Sequence, residues 1–169
     1  MPFEEKQTVA ALLLAGGRSE RLGGIDKGLL RWHGIALAEH VLRRIVPQVG
    51  NLALSCNRNR AQYSRILEKY APRQRNTLLP ALLEDNALPQ FAGPLAGIFS
   101  MLQLFENNGL QRDNFRYNYL FVCCCDTPQL PPDLVDKLLQ GMRLGGYDAV
   151  YPLVDQNHLR LTLLLGIKA

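Results

Sequence analysis

The sequence predicts an α/β domain: a mainly parallel sheet flanked by helices. Val9–Leu14, a short continuous apolar run, reads as a strand buried on both faces, and Tyr119–Cys125 is the most strand-like segment of the chain. Between and after them lie segments whose apolar residues recur at helical spacing, so strands and helices alternate. The 169 residues are 47% hydrophobic and 20% charged, which fits one domain and excludes a disordered chain. No stretch approaches the roughly 18 uninterrupted apolar residues that a membrane helix needs.

The elements follow in order. Val9–Leu14 is stopped by Gly16-Gly17, and a glycine-rich loop follows. Residues 36–46 then place Leu37, Val41, Leu42 and Ile45 on one helical face, closed by Pro47. Leu52–Ser55 is a second short strand. Arg58 or Asn59 opens a helix through Tyr63, Ile66, Leu67 and Tyr70, ended by Pro72. Thr77–Leu83 is a third strand, interrupted at Pro80 and ending at Glu84-Asp85. After a Pro- and Gly-containing loop, Pro94 suits the first turn of a helix through Leu95, Ile98, Met101, Leu102 and Phe105. Residues 106–116 are polar and predict a surface excursion. Tyr119–Cys125 ends at Asp126, and Pro131-Pro132-Asp133 leads a helix through Leu134, Leu138, Leu139 and Met142. Asp148–Val154 and Leu159–Leu165 read as two strands, turning near Asp155-Gln156-Asn157.

Residues 9–15 are the one apolar stretch that could pass for a signal peptide, but two acids and one base precede it, where a secretory leader is basic. Cys123, Cys124 and Cys125 are consecutive and the fourth cysteine is Cys56, so neither a disulfide framework nor a Cys-x-x-Cys metal pair is present. Buried reduced thiols in a cytoplasmic protein are expected. A net charge of +4, with no basic run, does not point to nucleic acid. Its local placement is more informative: Arg18, Arg21, Lys27 and Arg31 surround the glycine-rich stretch, as for a small anionic ligand.

Residues 14–28 hold five glycines in fifteen. Glycines let the backbone approach a phosphate chain and aim several N–H groups at it. The spacing is neither a Walker A loop nor a dinucleotide fingerprint. A solvated surface turn is the alternative. Basic residues inside the loop, directly after the first strand, favour phosphate, because open α/β sheets bind ligands at the carboxyl ends of their strands.

Leu14-Ala15-Gly16-Gly17, then Arg21 and Gly23-Gly24-Ile25-Asp26-Lys27-Gly28, resembles the molybdenum cofactor guanylyltransferases. Glu84-Asp85, Gly93-Pro94-Leu95-Ala96-Gly97 and Cys125-Asp126-Thr127-Pro128 resemble the same family in the same order. The resemblance implies a single-domain, Rossmann-like nucleotide-diphospho-sugar-transferase fold. It implies that Leu14, Ala15, Gly16 and Gly17 contact a nucleotide, that Lys27 holds its phosphates, and that Arg21 assists. Asp85 would recognise the guanine or ribose, and Gly93, Pro94 and Leu95 the base. Relatives that transfer cytidylate differ both there and at the Leu-Ala-Gly-Gly start, so guanine is favoured. Asp126 would hold Mg²⁺, with waters and phosphate oxygens completing the shell. Its other reading is a turn or cap aspartate leading into Thr127-Pro128.

The chain departs from the family at Ser55-Cys56-Asn57, where Asn-x-Asn is common; Ser55 replaces only part of that amide's bonding, and Asn57 remains as a candidate contact. His158-Leu159-Arg160 stands where the family shows His-Pro. Beside the family, the nucleotidyltransferase domain, residues 1–169, is short of a carboxyl-terminal strand, a helix and an Asn-rich segment. His33 and His40 read as surface or packing residues, and His158 as a possible substrate contact. The reaction implied is attack by the terminal phosphate of molybdopterin on the α-phosphorus of GTP, releasing pyrophosphate. GTP, Mg²⁺ and molybdenum cofactor are the implied ligands, and other molybdenum cofactor biosynthesis proteins the implied partners. Two alternatives stay open: a related nucleotidyltransferase using CTP or a sugar phosphate, and a nucleotide- or cofactor-binding protein without catalysis.

Overall fold

A computed structural model describes residues 3–15, 23–70, 82–83, 93–107, 117–154, 157–158 and 162–167. A short helix α1 (Phe3–Gln7) precedes β1 (Val9–Leu14), all six of whose residues are buried. A one-turn 3₁₀ helix (Lys27–Leu29) leads to a small hairpin, β2 (Arg31–Trp32) and β3 (Ile35–Ala36). Then come α2 (Leu37–Ile45), β4 (Asn51–Ser55), α3 (Arg60–Tyr70), β5 (Leu82–Leu83) and α4 (Pro94–Asn107). The chain continues through β6 (Tyr119–Cys124), α5 (Leu134–Gly145), β7 (Ala149–Val150), β8 (Leu153–Val154), β9 (Asn157–His158) and β10 (Leu163–Gly166).

The main sheet runs β5-β4-β1-β6-β10-β7. β1 is parallel to β4 and β6, and β4 to β5, whereas β10 runs antiparallel to both β6 and β7. Chain order moves outward from β1 to β5, then crosses to β6 on the other side of β1. The crossovers diverge there, which opens a crevice outside the carboxyl ends of β1 and β6.

Strand side chains alternate faces, and the two faces carry separate layers. Ala11 and Leu13 join α2, α3 and α5 through Val41, Leu42, Tyr63, Ile66, Val135 and Leu139. Ala10, Leu12 and Leu14 face the opposite way, against Met101 and Phe105 of α4. Burial on both faces accounts for the unbroken apolar run of β1, since neither face meets water. Two buried side-chain amides are paired inside the fold. The Gln48 amide donates to Arg44 O and Pro131 O (2.7 and 3.0 Å), and its oxygen accepts from Val135 N–H at 2.9 Å. Gln48, at the end of a one-turn 3₁₀ helix (Val46–Gln48) after α2, thus caps α5, where Asp133 makes no side-chain cap. Asn51 donates to the Tyr117 hydroxyl at 2.8 Å inside the sheet.

Several expectations are revised. The structure adds a hairpin, β2–β3, to the expected elements; His33 (φ +47°) and Gly34 (φ +82°) form its two-residue turn, the left-handed pair such hairpins need. Residues 148–154 split into β7 in the main sheet and β8 paired with β9, because Pro152 between them has no N–H for a ladder. The last strand begins at Leu163, and residues 159–161 lie outside the described residues. Helix α4 carries on through Glu106 and Asn107, so the polar excursion starts later. Of the expected third strand only Leu82–Leu83 is described. All four cysteines are free thiols. Among the described residues no helix is long and apolar enough to cross a membrane.

Candidate functional site

Three strands end level. Leu14 is in register with Ser55 on one side and Cys124 on the other. The pairing continues one step further: Ala15 N–H donates to Ser55 O (2.8 Å), and Cys125 N–H to Leu14 O (3.1 Å). Ala15, Cys56-Asn57 and Cys125-Asp126 therefore emerge side by side at the mouth of the crevice.

Lys27 and Asp126 meet there. The Lys27 ammonium lies 3.9 Å from Asp126 Oδ2, with the two side chains 39% and 31% exposed. A half-exposed pair at that distance adds at most about 1 kcal/mol to stability. Its interest is chemical. Asp126 Oδ1 is buried and has no hydrogen-bond partner among the described residues, and a buried carboxylate oxygen without a donor is costly unless something fills the gap. A hard cation suits such an oxygen. Among the described residues no group of three or more His, Cys, Asp or Glu side chains could enclose a metal. The Asp126 carboxylate is thus a candidate ligand for a divalent cation that takes its remaining ligands from water and phosphate oxygens.

The thiols beside this pair are kept protonated at neutral pH. Burial pushes Cys124 up to about 11, the Asp126 charge adding to the shift and Lys27 opposing it. Cys125 is pushed up to about 12, again chiefly by burial and next by Asp126. Neither supplies a thiolate nucleophile at neutral pH.

The end of the glycine-rich loop is fastened by residues that the motif reading did not single out. Asp26 Oδ1 accepts from the Tyr63 hydroxyl at 2.6 Å and from Gly28 N–H at 3.2 Å. Its Oδ2 accepts from Asn59 Nδ2 at 2.9 Å. Arg58 Nη1 donates to Gly24 O at 2.7 Å, a second tie between the same two segments. A Cβ on Gly28 would come within 2.3 Å of the Tyr63 oxygen, so this position has room only for glycine. By sequence spacing Tyr63 belongs to an apolar helix face. The signal available was that a buried tyrosine hydroxyl needs a partner.

The remaining candidates divide. Leu14 packs its side chain beneath α4, and its carbonyl and the Ala15 N–H are spent on the sheet. Ser55 is fully buried, while Asn57 is exposed at the strand end. Gly93 (φ +101°) and Pro94 open α4, and Leu95 in its first turn is 62% exposed. Helix α4 crosses back from the carboxyl end of β5, so this turn is on the crevice side of the sheet. Gly16, Gly17, Arg21 and Asp85 lie outside the described residues, as does Arg18. Arg31 is exposed in the hairpin and donates to Gly34 O. His40 Nε2 bonds Trp32 O at 2.8 Å, and the Trp32 ring is flanked by His33 and His40. The side chain of His158 also lies outside what is described.

A glycine-rich loop after β1, a lysine at its end and a lone carboxylate after β6 are the parts expected of a nucleotidyltransferase. The family described as the MobA-like NTP transferase domain matches residues 11–166. The chain belongs to this family. Relatives named molybdenum cofactor guanylyltransferase include that of Bordetella pertussis, 36% identical over 142 residues, 84% of this chain and 60% of the relative. That of Cupriavidus necator is 35% identical over 93% of this chain and 68% of its own length. That of Ralstonia pickettii is 40% identical over 79% and 54%. The chain thus spans between 54% and 68% of the length of these relatives.

Solved structures agree on the fold of the MobA-like domain. Molybdopterin-guanine dinucleotide biosynthesis protein A from Archaeoglobus fulgidus matches with a TM-score of 0.59 at 23% identity, covering 93% of this chain and 67% of that one. 4-diphosphocytidyl-2C-methyl-D-erythritolsynthase from Anaerococcus prevotii matches at 0.58 and 13% identity, covering 98% and 73%. The expected fold, a mainly parallel sheet flanked by helices, is therefore that of nucleotidyltransferases.

Proposed function

We propose that this chain transfers GMP from GTP to the molybdenum–molybdopterin cofactor and releases pyrophosphate. The observation that carries the reading is Lys27 beside Asp126 at the switch point, with Asp126 Oδ1 buried and unpartnered among the described residues. The names of the relatives at 35–40% identity support the choice of donor and acceptor.

In this reading a phosphate oxygen of the acceptor bonds to the α-phosphorus of GTP, and the bond to the bridging oxygen of the β-phosphate breaks. Pyrophosphate leaves with that electron pair. A phosphate monoester is largely dianionic at neutral pH, having a second pKa of about 6, so it needs no general base. The protein's task is to bring polyanions together and stabilise the leaving group. Asp126 would hold Mg²⁺, which would supply positive charge to the bound phosphates. Lys27 balances charge that builds on pyrophosphate, and Arg21 and the N–H groups of Gly16 and Gly17 assist. Leu14 and Ala15 form the loop's fixed base. Asp85, Asn57 and Gly93-Pro94-Leu95 read the nucleoside, and Ser55 holds the strand end beneath. Four free thiols suit a reducing cytoplasm, where other molybdenum cofactor biosynthesis proteins would deliver the acceptor.

The test is calorimetric titration with GTP, CTP and UTP in the presence of Mg²⁺. GTP is expected to bind more tightly than the other two by at least tenfold. A preference for CTP would replace the guanylyl assignment with a cytidylyl one.

A further inference from the structure

We propose that Asp26 is a positioning residue: its carboxylate, gripped by Tyr63, Asn59 and Gly28, sets the direction in which Lys27 presents its ammonium to the phosphates. The inference rests on the nucleotide-binding reading above.

Two carboxylates stand near Lys27 and differ in what their oxygens do. Asp126 keeps one buried oxygen without a partner among the described residues. Asp26 has both oxygens engaged, by three donors from three points in the chain. A carboxylate so occupied has little left to offer a metal, so its role is architectural.

What it organises is the turn that carries Lys27. A single 3₁₀ turn has no stability of its own; its two backbone bonds, Leu29 N–H to Asp26 O and Leu30 N–H to Lys27 O, do not offset the dihedrals they fix. Residues 27–29 must therefore be held from outside. Asp26 caps this turn through Gly28 N–H and reaches across to α3 for its other two bonds. Tyr63 is fully buried, so its hydroxyl has no water as an alternative partner. Asn59 sits at φ +56°, a left-handed conformation that asparagine tolerates. Its carbonyl accepts from the N–H groups of Gln62 and Tyr63 (2.9 and 3.1 Å), which starts α3. Its side chain meanwhile reaches Asp26. The start of α3 and the turn bearing Lys27 are thus one hydrogen-bonded body, closed by the missing Cβ of Gly28.

An exchange of donor and acceptor separates this arrangement from a simple charge effect. Asp26→Asn replaces three bonds to a carboxylate by neutral ones and forces the Asn59 amide to turn over to keep its contact, whereas Asn59→Asp sets two carboxylates together. The double variant D26N/N59D restores the bond with the roles exchanged. Calorimetric titration with GTP and Mg²⁺ is run on wild type, both single variants, the double variant and Tyr63→Phe, which removes only the hydroxyl. The melting temperature without ligand is recorded for each, and titrations are done where every variant is folded. Each single variant is expected to bind roughly ten- to a hundredfold more weakly. The double variant is expected to return to within about threefold of wild type, and Tyr63→Phe to weaken binding several-fold.

Wild-type affinity in folded D26N, or a double variant no better than the worse single, would overturn the positioning role. Altered melting temperatures with unchanged affinities would reduce Asp26 to a structural residue and overturn it equally. Inorganic pyrophosphate serves as a second probe. A wild-type protein that binds pyrophosphate but not GTP overturns the guanine reading alone, and the variants are then compared on pyrophosphate. One that binds neither overturns both.

Discussion

Replacing Gly28 by alanine probes the packing beneath Lys27 at a single atom. Gly28 does not need glycine for its backbone, because its φ is not in the left-handed region. The constraint is space. The added Cβ would lie 2.3 Å from the Tyr63 hydroxyl oxygen, 3.2 Å from Cζ and 3.3 Å from Cys125 Cβ. Carbon contacts are optimal near about 3.5–4.0 Å, so roughly an ångström of movement is required. Tyr63 is fully buried and cannot swing out to water. Either the ring is forced into the layer formed with Ile66 and Cys125, at about 1–3 kcal/mol, or the turn retreats. Retreat breaks the Tyr63–Asp26 bond, a hydrogen bond to a charged group worth about 1.5–3 kcal/mol. These are alternatives, so the expected loss is about 2–3 kcal/mol, not their sum. In a Tyr63→Phe background the offending oxygen is absent, and the same alanine should cost about 1 kcal/mol or less. Urea denaturation of wild type, both single variants and the double variant gives the coupling energy, expected at about 1–2 kcal/mol. Equal cost of the alanine in both backgrounds would refute the clash as its cause.

Other consequences are as specific. Asp126→Asn should melt close to wild type, since its ion pair with Lys27 is half exposed, yet lower Mg²⁺-dependent pyrophosphate release roughly 10²–10³-fold; near-normal turnover at saturating Mg²⁺ would remove Asp126 from the site. Gln48→Ala strips the cap from α5 and leaves Val135 N–H and Pro131 O buried, for an expected loss of about 2–3 kcal/mol in urea denaturation. A loss within experimental error would mean that the cap is redundant. The Cys124 thiol keeps its proton up to about 11 when folded and up to 9.0 when unfolded. Its contribution is therefore complete below pH 9 and is lost as pH rises toward 11. Stability measured between pH 8 and pH 10 should fall less steeply in Cys124→Ala than in wild type. Equal slopes would show that this thiol does not titrate with unfolding.

The parts of the fold legible in the sequence were those whose burial leaves a one-dimensional trace. β1 and β6 are covered on both faces, so their sequences are unbroken apolar runs. Helices α2 and α5 keep a polar side and were visible by spacing. The two-residue strands left no such trace: β2–β3 depends on the backbone conformation of His33-Gly34, and the split at Pro152 depends on which neighbour each half meets. At the site, Lys27 and Asp126 could be picked out because the motifs containing them are local in the chain. Their closeness is tertiary, made by the parallel pairing of β1 with β6. The fastening of Asp26 by Tyr63, 37 positions further on, has no sequence pattern at all. Ser55, which stands where the family commonly has an asparagine, lies fully buried at the end of β4.

The most direct test of the central claim is release of pyrophosphate on mixing the protein with GTP, Mg²⁺ and molybdenum cofactor. The expected result is pyrophosphate formed in step with guanylylated cofactor, dependent on all three components and lowered at least about a hundredfold in Asp126→Asn and Lys27→Ala proteins that remain folded. Tight GTP binding without pyrophosphate release would contradict it, and would mark the chain as a nucleotide-binding protein without transferase activity.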